Sequence, residues 1–229
     1  MATTTSPASV TSVTSVTLEV ADPEAARRFY TAFGVESRIR LRASGASGTS
    51  GTSGTSDPDS TGFRGFTLAL TVSGPATVDG FVADAVGAGA TVLKPATKSM
   101  WGYGGVVRAP DGTIWKIATS AKKDTGPATR RIDELVLLLG VEDVRASRRF
   151  YADLGLTVAK SFGGKYAEFV AEESDPVKLA LYKRGGLAKD LGVPAEGTGS
   201  HRIALGGSTG APFTDPDGFV WETAGPSAP

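Results

Sequence analysis

The chain has 229 residues and equal numbers of basic and acidic side chains, 24 of each, so its formal net charge is zero. That balance argues against a nucleic-acid or anionic-membrane partner, because both need a clustered basic surface. The absence of cysteine excludes disulfides and thiolate chemistry, and the single histidine excludes a site with two imidazoles from one chain.

The first predicted elements are a tail, a strand and a helix. Residues 1–12 are rich in Thr, Ser and Ala and lack a basic start and an apolar core, so we expect a disordered tail and a cytoplasmic protein. An apolar strand at 16–20 is followed by Asp22, which suits a helix N-cap, and by Pro23 at the first helical position. Gly34 suits the left-handed turn that ends such a helix.

The rest of the chain alternates regular and low-complexity segments. Residues 43–62 are dominated by Gly, Ser and Thr, which predicts a flexible loop. Apolar spacing predicts a second helix over 77–86. Strands are predicted, in chain order, at 66–72, 106–108, 114–118, 135–141, 166–170, 177–182 and 219–223.

The chain contains an internal repeat. Residues 17–34 (TLEVADPEAARRFYTAFG) and 138–155 (LLGVEDVRASRRFYADLG) match at a constant offset of 121 and are identical at nine of 18 positions. A second matched pair, PDGTIW at 110–115 and PDGFVW at 216–221, follows in the same order. Two matched segments in one order indicate a duplicated domain.

The repeat predicts two domains, at 13–121 and 130–225, joined by a polar linker at 122–129 that contains Gly and Pro. Each domain lacks a piece that the other keeps. In the first, the low-complexity loop replaces strand sequence, whereas the second is too short in its last part for a second helix. We therefore expect the two copies to pack as one unit.

The strand–Asp–helix–Phe-Tyr opening and the closing Pro-Asp-Gly turn, each present twice, resemble the vicinal oxygen chelate superfamily of glyoxalases, bleomycin-resistance proteins and extradiol dioxygenases. The resemblance implies an α+β fold in which tandem βαβββ modules form open, curled mixed sheets. It implies two domains here, each with one degenerate module. In this family a metal often lies in the cup of the sheet, held by His, Gln or Glu, while antibiotic-binding members have no metal.

Most metal-ligand positions that the resemblance assigns carry poor ligands. Only His201 and Glu222 are orthodox ligands, so a divalent metal would need a third ligand from elsewhere. The alternative, which we favour, is that His201 is a partly buried polar side chain hydrogen-bonded to its surroundings. The assigned positions are Ser15, Thr67 and Lys116 in the first domain and Val136, His201 and Glu222 in the second, with Tyr182 near the remaining one.

A second candidate site is the Gly-rich turn that carries Trp101 and Tyr103. Glycine allows close backbone approach, and the two rings provide apolar area with a polar tip, which suits the mouth of a cup. Plain packing of this loop is the alternative interpretation of the two rings. Lys116, Glu222 and His201 would add polar groups to this ligand pocket. Trp115 and Trp221 adjoin cup-facing positions on their strands, so we expect both in the core.

Three functions remain open on these observations. We favour a protein that binds a small organic molecule in the cup without an orthodox metal site, and a divalent metal is the one cofactor that stays open. The first alternative is a metal-dependent glyoxalase- or dioxygenase-type enzyme using His201 and Glu222, with Glu222 as the catalytic general base. The second is a structural or subunit-interaction role. The expected partner is a small molecule, with no nucleic acid and no membrane, in a monomer or homodimer.

Overall fold

The computed structural model describes residues 10–45, 60–172, 175–208 and 211–223. Most of the predicted loop at 43–62, and residues 1–9 of the predicted tail, lie outside the described residues. Val10 is buried, and its N–H donates to the carbonyl oxygen of Leu154 at 2.8 Å. The folded part of the chain therefore begins before the predicted boundary at residue 13.

The described elements follow the predicted strand–helix–strand order twice. The first repeat contains β1 (Val13–Val20), α1 (Pro23–Phe33), a 3-10 helix (Glu36–Arg38), β2 (Arg40–Ala43), β3 (Thr61–Gly62), β4 (Phe66–Thr71), α2 (Pro75–Gly87), β5 (Thr91–Ser99), β6 (Gly102–Arg108) and β7 (Ile114–Thr119). The second contains β8 (Glu134–Val141), α3 (Val144–Asp153), β9 (Val158–Phe162), β10 (Tyr166–Phe169), β11 (Lys178–Lys183), α4 (Arg184–Leu191), β12 (Gly197–Thr198), β13 (Ile203–Gly207), β14 (Phe213–Thr214) and β15 (Val220–Thr223).

Each main sheet takes strands from both repeats. The larger has eight strands in the order β5-β6-β7-β4-β8-β11-β10-β9, and the smaller has five in the order β14-β15-β13-β1-β2. The repeats meet where β4 pairs antiparallel with β8 and where β1 pairs antiparallel with β13. A short β12-β3 ribbon also links them. The predicted α+β fold with open mixed sheets is confirmed.

The local signals in the sequence explain where the first helices begin and end. The Asp22 carboxylate accepts hydrogen bonds from the N–H groups of Glu24 and Ala25, both at 3.0 Å, and α1 starts at Pro23. Gly34 has φ of 85°, as predicted for the left-handed cap. Asp143 caps α3 in the same way, and these backbone N–H bonds hold the pKa of its carboxyl below its ordinary value.

The main core lies between the sheets and the helices α1, α2 and α3. Trp115 is fully buried, with its ring centroid 5.8 Å from that of Tyr30 and 5.2 Å from that of Phe33. Trp221 is buried in the second repeat beside Tyr151, at 5.6 Å between ring centroids. The prediction that both tryptophans face the core is confirmed. The described helices include none with the length and apolar character needed to span a bilayer.

The equivalent tyrosines of the two repeats each donate a hydrogen bond to a carboxylate. Tyr30 donates to Asp111 at 2.6 Å, and Tyr151 donates to Asp215. The acceptor in the second repeat is not Asp217, the residue of the matching Pro-Asp-Gly motif, but the aspartate two positions earlier. Burial, strengthened by the adjacent carboxylate, raises the pKa of both tyrosines well above the ordinary value.

These tyrosines predict a loss of stability in alkali. The unfolded chain loses the tyrosine proton near about pH 10, whereas the folded protein holds it to higher pH. The contribution of the tyrosine to stability is therefore complete below about pH 10 and declines as the pH rises towards the folded-state pKa. We expect the free energy of unfolding in urea to fall more steeply above about pH 10 in the wild type than in the Tyr151→Phe variant. Equal slopes for the two proteins between pH 9 and 11 would contradict this assignment.

Candidate ligand pocket

A helix that was not predicted from the sequence, α4, packs on the face of the eight-stranded sheet opposite the main core, the face that the resemblance assigns to the concave cup. Leu187, Ala188 and Leu191 of α4 are buried there in a small apolar cluster separate from the main core. The cluster includes Val106 and Ile114, which are on β6 and β7. The glycines at the start of α4 disfavour a helix, so the local signal is weak and packing on the sheet must stabilise it.

Two lysines of the sheet hold the C-terminal end of α4. Lys94 Nζ donates to the carbonyl oxygens of Lys189 at 3.1 Å and Asp190 at 2.5 Å. Lys116 Nζ forms an ion pair with the carboxylate of Asp190 at 2.5 Å. Cations near a helix C-terminus are favourable because the unpaired carbonyl groups there carry partial negative charge. Lys116 therefore lies on the concave face, as the sequence alternation predicts.

A cavity of about 290 Å³ lies beside this end of α4, against β5, β6 and β7. Its charged groups are Lys94, Lys116 and Asp190, and the remainder of its wall includes Val106 and the glycines of β6. Three residues that the sequence predicted for ligand binding, Trp101, Tyr103 and Lys116, line the cavity, but the Tyr103 ring packs against the main core on the other face of the sheet.

Trp101 and Tyr103 contribute differently to this cavity. Ser99 pairs with Gly102, so Met100 and Trp101 form the two-residue turn between β5 and β6, and Trp101 is 84% exposed. The Tyr103 hydroxyl instead donates to the carboxylate of Asp79 on α2, at 2.8 Å. The indole of Trp101 is therefore available to a ligand, whereas the hydroxyl of Tyr103 is already bonded.

His201 lies outside the cup. Its Nδ1 is 2.5 Å from the carbonyl oxygen of Arg64, and its Nε2 is 3.0 Å from that of Asp217. The ring stacks on Phe219 with 3.9 Å between centroids. Both ring nitrogens face backbone oxygens, so neither is directed at a shared site with Glu222.

Glu222 lies on the concave face of the small sheet, in an ion-pair network that sequence reasoning missed. Arg42 on β2 donates to Glu222 at 2.7 Å and to Glu19 at 2.6 Å. Burial lowers the pKa of the Arg42 guanidinium, but the bonds to the two carboxylates outweigh this, so the pKa is raised overall. Glu222 pairs with Gly206 near the end of β13, whereas His201 precedes the first residue of that strand, Ile203.

The sheet register corrects two of the assigned metal positions. Ala69, not Thr67, lies opposite Val136 and beside Lys116, and Gly206, not His201, lies beside Glu222. Thr67 donates instead to the carbonyl oxygen of Ile114, at 2.7 Å.

The residues at these positions do not fit a divalent metal. In the large sheet, Lys116 lies beside Ala69 and Lys178 lies beside Val136. The ammonium groups of the two lysines would repel a metal cation. In the small sheet, Ser15, Gly206 and the Arg42-bound Glu222 occupy the corresponding places. The described ranges contain no group of three or more His, Asp or Glu side chains that could hold a metal ion.

Comparisons with known proteins are consistent with this architecture. The family model for the Glyoxalase/Bleomycin resistance protein/Dioxygenase superfamily matches residues 12–117. Glyoxalase I from Zea mays has a TM-score of 0.56 and 15% identity, with 92% of this chain and 90% of that chain covered. A putative dioxygenase from Bacillus subtilis has a TM-score of 0.50 and 10% identity, with 91% and 72% covered. A search of the curated proteins found no match. At these identities, the two solved structures establish similarity of fold only.

Proposed function

We propose that this chain, whose residues 12–117 match the glyoxalase/bleomycin resistance protein/dioxygenase superfamily, binds a small organic molecule in the cavity between α4 and the β5–β6 hairpin. The observation that carries the proposal is the composition of that cavity. An exposed indole lies on the hairpin turn, and two ammonium groups with one carboxylate lie beside α4. A concave site that combines apolar surface with a few fixed polar groups is typical of small-molecule binding.

Binding here would not depend on a metal. The central positions of the cup carry Ala69, Val136, Lys116 and Lys178, so ligand recognition would use side chains and backbone. The alternative of a metal-dependent enzyme is less favoured, because His201 and Glu222 each have other protein partners.

The structural role that a lost helix suggested is also less favoured. A subunit-interaction role would be favoured if the missing helix left apolar surface of the second repeat uncovered. Trp221, a large apolar side chain of that repeat, is only 1% exposed. The ring of Phe213 stacks on Trp221 with 5.5 Å between centroids and 9° between planes. The apolar face of the second repeat is therefore covered at this point by its own chain.

A thermal-shift screen with planar aromatic compounds and glycopeptide antibiotics tests the proposal, followed by calorimetric titration of each hit. Because Trp101 is the exposed ring of the cavity, we expect Trp101→Ala to weaken binding of a hit by roughly tenfold or more. Met100→Ala is the matched control, since Met100 is the neighbouring turn residue, is 79% exposed and does not line the cavity. A screen without any stabilising compound, or equal affinities in the two variants, would count against this site.

A further inference from the structure

A second and larger cavity, of about 560 Å³, lies where the two repeats meet, at the N-terminal end of α4. It is bounded by the segment before β4, the first residue of α4 and the chain leading into β13. Three basic residues, Arg64, Arg184 and His201, line it. Two glutamates that line it, Glu142 and Glu196, are exposed.

The guanidinium of Arg184 is fixed in orientation at this cavity. Its plane is stacked near Phe63, with 5.3 Å from the central carbon to the ring centroid. Nε donates to the carbonyl oxygen of Ala195 at 3.1 Å, and Nη2 donates to that of Phe63 at 2.8 Å. Within the described parts of the chain, no hydrogen bond involves the Nη1 amino group, so its N–H donors are left for a further acceptor.

Gly65 allows the basic groups to come together. A Cβ atom at this position would lie 2.4 Å from Arg184 Nη1 and 3.1 Å from His201 Cε1, and Gly65 has φ of +83°. A side chain here would therefore be strained in its backbone and would also displace the guanidinium. The glycine keeps the Arg184 fork and the edge of the imidazole close to each other.

Over the described ranges, neither Arg64 nor Arg184 forms an ion pair with a carboxylate, although Asp111 is close enough to act on Arg64 through its charge. Among the described residues, the guanidinium bonds of Arg64 and Arg184 go to backbone carbonyl oxygens, including Arg64 Nη2 to Asp111 at 2.6 Å. The Asp217 carboxylate is directed elsewhere, since it accepts from Ser147 Oγ at 2.6 Å and from the Glu142 N–H at 2.8 Å. Burial lowers the pKa of Arg64, although Asp111 opposes this, and the nearby charge of Arg202 lowers it further.

We propose that this cavity binds the anionic oxygen group, a carboxylate or a phosphate, of a small organic molecule against Arg184, with Arg64 adding positive charge. The Nη1 amino group of the guanidinium suits both kinds of anion, because its N–H groups can donate charge-assisted hydrogen bonds to their oxygens. The cavity is larger than an inorganic anion, so it has room for the organic part of the ligand. That part would extend from Arg184 towards the exposed glutamates. The site is independent of the cavity beside α4.

The single histidine provides a reporter for the test, since its ring C–H signals in NMR spectra need no further assignment. The full-length protein is titrated with inorganic phosphate and, separately, with malonate, at fixed pH and ionic strength. We expect the His201 signals to shift and saturate with at least one anion, and the anion that saturates identifies the group recognised. Changes that stay linear with both anions would overturn the proposal.

Variants locate the binding. We expect Arg184→Gln to raise the half-saturating concentration by roughly tenfold or more, because a hydrogen bond to a charged group is lost, and Arg184→Lys to raise it less. Arg131→Gln is the matched control, since Arg131 is 81% exposed and lies outside this cavity. If Arg184→Gln does not fold, Arg184→Lys decides the outcome. Wild-type affinity in every Arg184 variant that folds would reject the assignment.

Discussion

Replacing Trp115 by alanine is expected to lower the free energy of unfolding by about 3–5 kcal/mol, as measured by urea denaturation. The indole projects from β7 towards α1, where it is fully buried against the rings of Tyr30 and Phe33. Its removal leaves a cavity that the surrounding aromatic rings cannot fill without moving. The protein then loses the dispersion contacts of the indole as well as the free energy gained by transferring the indole from water into the core.

The three tryptophans provide an internal control for this experiment. Trp101→Ala removes the same side chain from an exposed turn, so its effect on stability should remain within about 0.5 kcal/mol. A comparable loss in both variants would show that Trp101 also packs against the fold. It would then be a weaker candidate for contact with a ligand.

Leu191→Ala is expected to destabilise the protein by about 2–5 kcal/mol, because Leu191 is fully buried in the cluster between α4 and the sheet. The local sequence of α4 provides little helical stability of its own, so this packing is what keeps the helix on the concave face. The measurement is again the free energy of unfolding in urea, which reports whether the helix is coupled to the whole fold.

Lys189→Ala is the matched control for α4. The side chain of Lys189 is exposed, and Lys94 contacts its carbonyl oxygen, which the substitution retains. We expect a change within about 0.5 kcal/mol. If Leu191→Ala were equally mild, α4 would be loosely attached to the sheet, and the cavity beside it would have no fixed wall.

The elements with strong local signals were predictable from the sequence. Asp22, Pro23 and Gly34 define α1 through capping and backbone preference, which act within a few residues. The positions of Trp115 and Trp221 follow from strand alternation once one neighbouring residue is placed on the cup side. The duplication also shows that the same structural unit occurs twice.

The pairing between the repeats was harder to predict, because it depends on contacts far apart in the sequence. Aligning Thr67 with His201 misplaces the cup positions, whereas the register pairs Leu68 with Trp115 and Leu205 with Trp221. Counting from the shared tryptophans would have given the correct alignment. Arg42 and α4 had no comparable signal, since a short strand and a glycine-rich helix depend on tertiary packing.

The exchange of strands between the repeats has a consequence for how the chain folds during synthesis. β1 forms its antiparallel ladder with β13, so Val16 cannot pair until Leu205, which is far downstream in the chain, has been synthesised. Pairings over such long sequence separations are associated with slow folding, because loop closure precedes the favourable contacts. A fragment ending at the linker would leave one edge each of β1 and β4 unpaired, and exposed strand edges favour aggregation. The duplicated halves therefore depend on each other to complete their sheets.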